Sequence, residues 1–129
     1  MSIFNQLFEQ AKQTPCVSKA RLVAAIVYKG KIISTGCNSY KTHPLQKKFA
    51  DRTDRIYLHA EIEAIARALR LRPYSILSSS DLYVVRAKMT GPSGRGIWTT
   101  GLAKPCEGCA RCIASFNIRN VYYSREGDL

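Results

Sequence analysis

The strongest constraint on what this chain can fold into is chemical, and it is split in two. His59-Ala60-Glu61 lies near the middle of the sequence, and Pro105-Cys106-Glu107-Gly108-Cys109 lies near its end. One imidazole and two thiolates are a donor set that suits zinc, and Glu61 is a carboxylate left over beside them. A structural zinc usually closes with four protein ligands, whereas three leave the fourth tetrahedral position open for chemistry. His59, Cys106 and Cys109 therefore read as ligands of a catalytic zinc ion. The fold has to carry two distant segments to one point.

Local geometry supports the pairing. Cys106 and Cys109 are three apart at the start of a helix, so both side chains project from one face and can reach one ion. The free amides and partial positive charge of that helix terminus lower a thiol's pKa, and His59, opening another helix, brings a second such terminus to the same place. Cys112 extends the series to C-x-x-C-x-x-C. It lies a further turn along, about 4.5 Å of rise beyond Cys109, and an iron–sulfur cluster would need a fourth cysteine from Cys16 or Cys37. Neither Cys16 nor Cys37 has a partner at metal spacing, and both read as small buried apolar residues. His43, the only other histidine, reads as a surface turn residue beside Pro44. The structural alternative is a closed zinc site with an unidentified fourth ligand that merely holds a small domain together.

A chain of 129 residues is long enough for one core and short for two, so residues 1–129 are expected to form one domain. Three of the five cysteines cluster at short spacing, which favours metal over disulfides. No apolar run reaches the roughly 18 residues of a membrane span, and Asn5, Gln6, Glu9 and Gln10 interrupt any signal-peptide core. The expectation is a cytoplasmic protein with no membrane segment. Twenty Lys and Arg against nine Asp and Glu give a formal net charge of +11, which favours an anionic partner, either a nucleotide or a nucleic acid.

The order of elements follows from pattern. Ser2 caps a first helix whose Ile3, Phe4, Leu7, Phe8 and Ala11 share a face, and Thr14-Pro15 ends it. Apolar runs on either side of Lys29-Gly30 form a β-hairpin. Residues 39–57, with Lys47, Lys48, Asp51, Arg52, Asp54 and Arg55, read as a long polar loop leading to the metal. A second helix spans about 59–71, a strand 81–86, a third helix about 106–116 and a last strand 120–124. Residues 86–104 hold four of the eight glycines and the only Trp, and are expected to extend the strand, turn, and return at 97–100. An α-β-β-α-β-α-β order after an opening hairpin implies a mixed sheet covered by helices.

The hairpin ending in Asn38, the run from His59 to Ile65, the strand Leu82-Tyr83-Val84-Val85, the Pro105-Cys106-Glu107-Gly108-Cys109-Ala110 turn and Ile118-Arg119-Asn120-Val121-Tyr122-Tyr123 together resemble the zinc-dependent cytidine and deoxycytidylate deaminase superfamily, over about residues 20–124. That superfamily includes tRNA adenosine deaminases and nucleic-acid-editing cytidine deaminases. The resemblance implies a three-layer α/β/α sandwich with a mixed sheet of about four to five strands. It also implies zinc on His59, Cys106 and Cys109, and Glu61 as the group that takes a proton from water and hands it to the ring nitrogen and departing amine. It places Asn38 near the substrate sugar or base, with Ala60, Lys104 and Pro105 also expected at the substrate, and it suggests a homo-oligomer in which neighbouring subunits complete the pocket. The long 86–104 excursion departs from the family pattern and makes the rim unusual.

The leading expectation is hydrolytic deamination of a cytosine base on a free nucleoside or nucleotide of deoxycytidylate type. A polynucleotide deaminase is the alternative, acting on cytosine in single-stranded DNA or RNA or on adenosine in tRNA. The +11 charge and a stacking surface at Trp98 or Tyr57 would support it, although a lone Trp is more often a packed residue. A non-catalytic, zinc-stabilised nucleic-acid-binding domain is the third reading, and Glu61 argues against it.

Overall fold

The computed structural model describes residues 2–14, 21–50, 58–90 and 96–128. Helix α1 (Ile3–Gln13) begins where Ser2 Oγ accepts the Asn5 amide at 3.1 Å, and its end is held by Arg21, whose Nη1 donates to the Lys12 carbonyl at 2.7 Å. Strands β1 (Arg21–Tyr28) and β2 (Lys31–Cys37) pair antiparallel through a tight turn in which Lys29 and Gly30 both take positive φ, 50° and 78°. Glycine accommodates that conformation without strain, and the turn's twist matches the flanking strands.

β1 pairs on its other side, antiparallel, with the eleven-residue β3 (Ser80–Thr90). The outer edge of β3 is divided between two neighbours. Its first half pairs parallel with β5 (Asn120–Tyr123), and its second half pairs antiparallel with β4 (Ile97–Gly101). Ser124, fully buried, closes the fork: its hydroxyl donates to the Gly101 carbonyl at 2.7 Å and accepts the Arg86 amide at 3.1 Å.

Alternation along the strands splits the core between two faces. Val23, Ala25, Val27, Val85 and Ala87 meet Leu7, Phe8 and Ala11 of α1 on one side. Ala24, Ile26, Leu82 and Val84 meet α3 (Ala60–Leu71) and α4 (Glu107–Ser115) on the other. Ile62 and Ile65 of α3 are fully buried, each contributing about 1.5–3 kcal/mol of burial. The result is the three-layer α/β/α sandwich with a mixed five-stranded sheet. The close seat of α3 on β2 depends on Gly36, where a Cβ would lie 2.6 Å from the Ala60 carbonyl oxygen. Ser34 Oγ reinforces it by donating to the Ala64 carbonyl at 2.7 Å.

The polar stretch read as loop contains a short helix, α2 (Pro44–Phe49). His43 is its N-cap, with Nδ1 accepting the Leu45 amide at 3.0 Å, and Pro44 takes the first helical position, where its missing N–H costs nothing. His43 is thus the turn residue expected, with a capping task. A 3₁₀ turn (Tyr74–Ser79) leads into β3, which continues past residue 86 to Thr90 as the expected extension, and the return strand lies where the Gly-rich pattern put it. Pro15, Cys16, Asp51, Arg52, Asp54, Arg55 and Tyr57 lie outside the described residues. No helix among the described residues is long and apolar enough to cross a membrane.

Candidate metal centre

The two motifs meet at the N-termini of two helices. His59 is the N-cap of α3 with extended backbone, and its side chain does not cap that helix. Cys106 is the N-cap of α4, and its Sγ accepts the Cys109 amide at 3.5 Å. His59 Nδ1 lies 3.3 Å from Cys109 Sγ and 3.6 Å from Cys106 Sγ. A tetrahedral zinc with bonds of about 2.0–2.3 Å holds neighbouring N and S donors about 3.5 Å apart. The three donor atoms, all within 4.8 Å of one another, therefore fit zinc. Cys112 is buried in the core beneath α3 and takes no part; burial pushes its thiol up to about 12. Cys37, half-buried, packs against the α1 side of the sheet instead.

Electrostatics distinguish the two thiols. Cys106 is lowered to about 4, chiefly by a hydrogen bond from Cys109 and further by His59 and the Cys109 amide. Cys109 is raised, because it is the partner that keeps the proton and because it is fully buried. Without metal the pair shares a single negative charge on Cys106. Glu61 follows one residue into α3 and is 5% exposed. Burial raises its pKa, and the Cys106 charge adds to that, while His59 and a hydrogen bond with Cys109 work the other way. A carboxylate taken out of water beside a thiolate is costly to keep unless it has a proton to handle.

Among the other residues expected at the substrate, Asn38 directly follows β2 and its Oδ1 accepts the Leu22 amide at 3.1 Å, which holds its side chain against β1. Ala60 is buried in the first turn of α3, beneath Gly36. Pro105 is half-buried next to Cys106, and Lys104 before it is exposed. Trp98 is paired with Met89 on the α1 face of the sheet, half-buried beneath the Arg21 guanidinium at 5.0 Å. It faces away from the metal centre, as a packed residue rather than a base platform there. Arg95 lies outside the described residues.

One residue of the centre carried no signal in the sequence. Gln46 of α2 is 2% exposed, and its Oε1 accepts the His59 amide at 3.0 Å. It holds the backbone of His59, one of the three donors that fit zinc, from a helix that looked like polar loop. Only its position on the inner side of α2, with Leu45 and Phe49 packed on the core, reveals it. Gln46→Met keeps length and removes the acceptor, and its zinc affinity is expected to fall about 10- to 100-fold, the usual cost of losing an outer-shell partner, as measured by chelator competition.

The family model of the cytidine and deoxycytidylate deaminase zinc-binding region matches residues 2–125. No curated protein matches the chain by sequence. Among solved structures, the apo dCMP deaminase from cyanophage S-TIM5 superposes with a TM-score of 0.59 at 23% identity, over 98% of this chain and 85% of that one. The same phage enzyme in complex with dCMP and dUMP gives a TM-score of 0.61 at 19% identity, over 93% and 76%. RibD from Acinetobacter baumannii gives 0.52 at 18% identity, over 95% of this chain and 26% of that one. At these identities the likeness is one of fold.

Proposed function

Because the chain belongs to the cytidine and deoxycytidylate deaminase family, we propose that it hydrolyses the exocyclic amine of a cytosine base on a free nucleotide of deoxycytidylate type, leaving uracil and ammonia. The observation that carries this reading is Glu61: a non-ligand carboxylate, buried and raised in pKa, beside three converging zinc donors. A zinc ion that only braced a small domain would need no such neighbour.

His59, Cys106 and Cys109 would hold the zinc, which supplies the Lewis acidity that lets water react near neutral pH. Glu61 does the proton work. It takes a proton from the attacking water as the oxygen adds to C4 of the cytosine, and it delivers that proton to N3. It then takes the second proton from the hydroxyl now on C4 and passes it to the exocyclic amine, so that the C4 carbonyl forms, the C4–N bond breaks and ammonia leaves. Burial favours the protonated form of Glu61 between these steps. The proposal gives Asn38, Ala60, Lys104 and Pro105 to the substrate wall. Support for a free nucleotide comes from the phage enzyme of the same fold, solved with dCMP and dUMP.

The +11 charge favours a second reading, a polynucleotide substrate. Ammonia release by zinc-loaded protein across dCMP, cytidine, adenosine, single-stranded DNA and tRNA tests both. Fastest turnover of dCMP is expected. Slow dCMP turnover, with oligonucleotide binding whose log K falls by about 0.7 per contacted phosphate for each unit of log salt, would replace the first reading by the second.

A further inference from the structure

The sheet presents a row of residues where it meets the metal centre. Asn38 Oδ1 accepts the Leu22 amide, Leu22 is paired with Arg86, and Arg86 is paired with Gly101. Along β3, Leu82 and Val84 are in the core under α3 and α4, and Val85 and Ala87 are in the core under α1. Alternation therefore turns Arg86 toward the face that carries the zinc donors. Its amide is bound by Ser124 Oγ, and the Ser124 carbonyl takes the amide of Ala103 at 2.9 Å, in the segment leading into Cys106. Arg86 thus lies on the sheet between Asn38 and that segment.

One donor of the guanidinium there is unmatched. Arg86 Nε is buried and has no hydrogen-bond partner among the described residues. Its stem passes over Gly101, where a Cβ would come within 3.0 Å of Arg86 Cδ. The nearby carboxylate, Glu126, forms its ion pair with Lys88, and the Arg86 charge acts on it only as the smallest influence. A guanidinium is always charged and carries five donors, and a buried donor without an acceptor is destabilising. Its fork suits the oxygens of a phosphate, with charge-assisted bonds stronger than neutral ones.

Resting on the nucleotide reading above, we propose that Arg86 binds the phosphate of the substrate, donating to its oxygens while the cytosine sits at Glu61. The chain then selects a nucleoside monophosphate over the free nucleoside by a residue on the sheet, supplied by the part of β3 that continues beyond Val85.

The experiment compares kcat/KM for dCMP and for deoxycytidine in zinc-loaded wild type, Arg86→Met and Arg86→Lys, with calorimetric titration of inorganic phosphate. The dCMP-to-deoxycytidine ratio is expected to fall about 10- to 100-fold in Arg86→Met, the range for a lost charged hydrogen-bond pair. Arg86→Lys, keeping a point charge without the fork, should fall less. An unchanged ratio in zinc-bearing Arg86→Met overturns the assignment and leaves the nucleotide reading standing. Should Arg86→Met fail to load zinc, the ratio in Arg86→Lys decides in the same way. If wild type deaminates neither compound, the nucleotide reading falls and phosphate binding alone decides: binding lost on substitution upholds the anion site, and equal or absent binding overturns it.

Discussion

Glu61→Gln is expected to lower the turnover of the zinc-loaded protein by at least about 100- to 10,000-fold, the range for removing a general acid–base group, with zinc still bound. The substitution preserves shape and hydrogen-bonding length and removes only the capacity to carry a proton. It also removes a carboxylate buried beside the Cys106 charge, so the folded protein should be no less stable, and thermal melting should show this. Normal turnover by this variant would sink the proposed mechanism while leaving the fold untouched. Loss of zinc would mean that Glu61 is itself a ligand.

The second large effect concerns the metal. Purified protein should hold about one zinc per chain, and Cys106→Ser, Cys109→Ser or His59→Ala should each bring metal content close to zero after dialysis. Cys112→Ser should keep it, because Cys112 lies in the core away from the three converging donors. Zinc loss in the Cys112 variant would overturn the ligand set. Uptake also has a proton signature. Cys106, lowered to about 4, is ionised at neutral pH, whereas Cys109, raised by its bond to Cys106 and by burial, keeps its proton. Metal binding at neutral pH should therefore release about one proton, from Cys109, measurable by calorimetry in buffers of different ionisation enthalpy. Below about 4, Cys106 is protonated as well, so at least one further proton must leave and affinity should drop more steeply with acid.

Most of the secondary structure was legible because its signals are local. Ser2 before an apolar face and Lys29-Gly30 between two apolar runs each name a conformation that nearby residues enforce. The short helix at Pro44 was misread for a local reason too. Six residues with two lysines and one glutamine show too few turns for periodicity to stand out, and the helix persists because Leu45 and Phe49 find the core.

The donor set was readable in the residues alone, because it depends on residue type and order: His59 at one helix start, and Cys106 and Cys109 three apart at another. Those spacings limit which atoms can share an ion whatever the rest of the chain does. What needed the tertiary structure was everything contributed from another element. Gln46 reaches the His59 amide from α2, Gly36 admits α3 onto β2, and Ser124 ties β5 to β3 and β4. Trp98 is turned to the α1 face and Arg86 to the metal face by strand alternation combined with sheet order. No periodicity within the sequence states which layer covers which face, because that follows from how the helices divide the sheet's two sides between them.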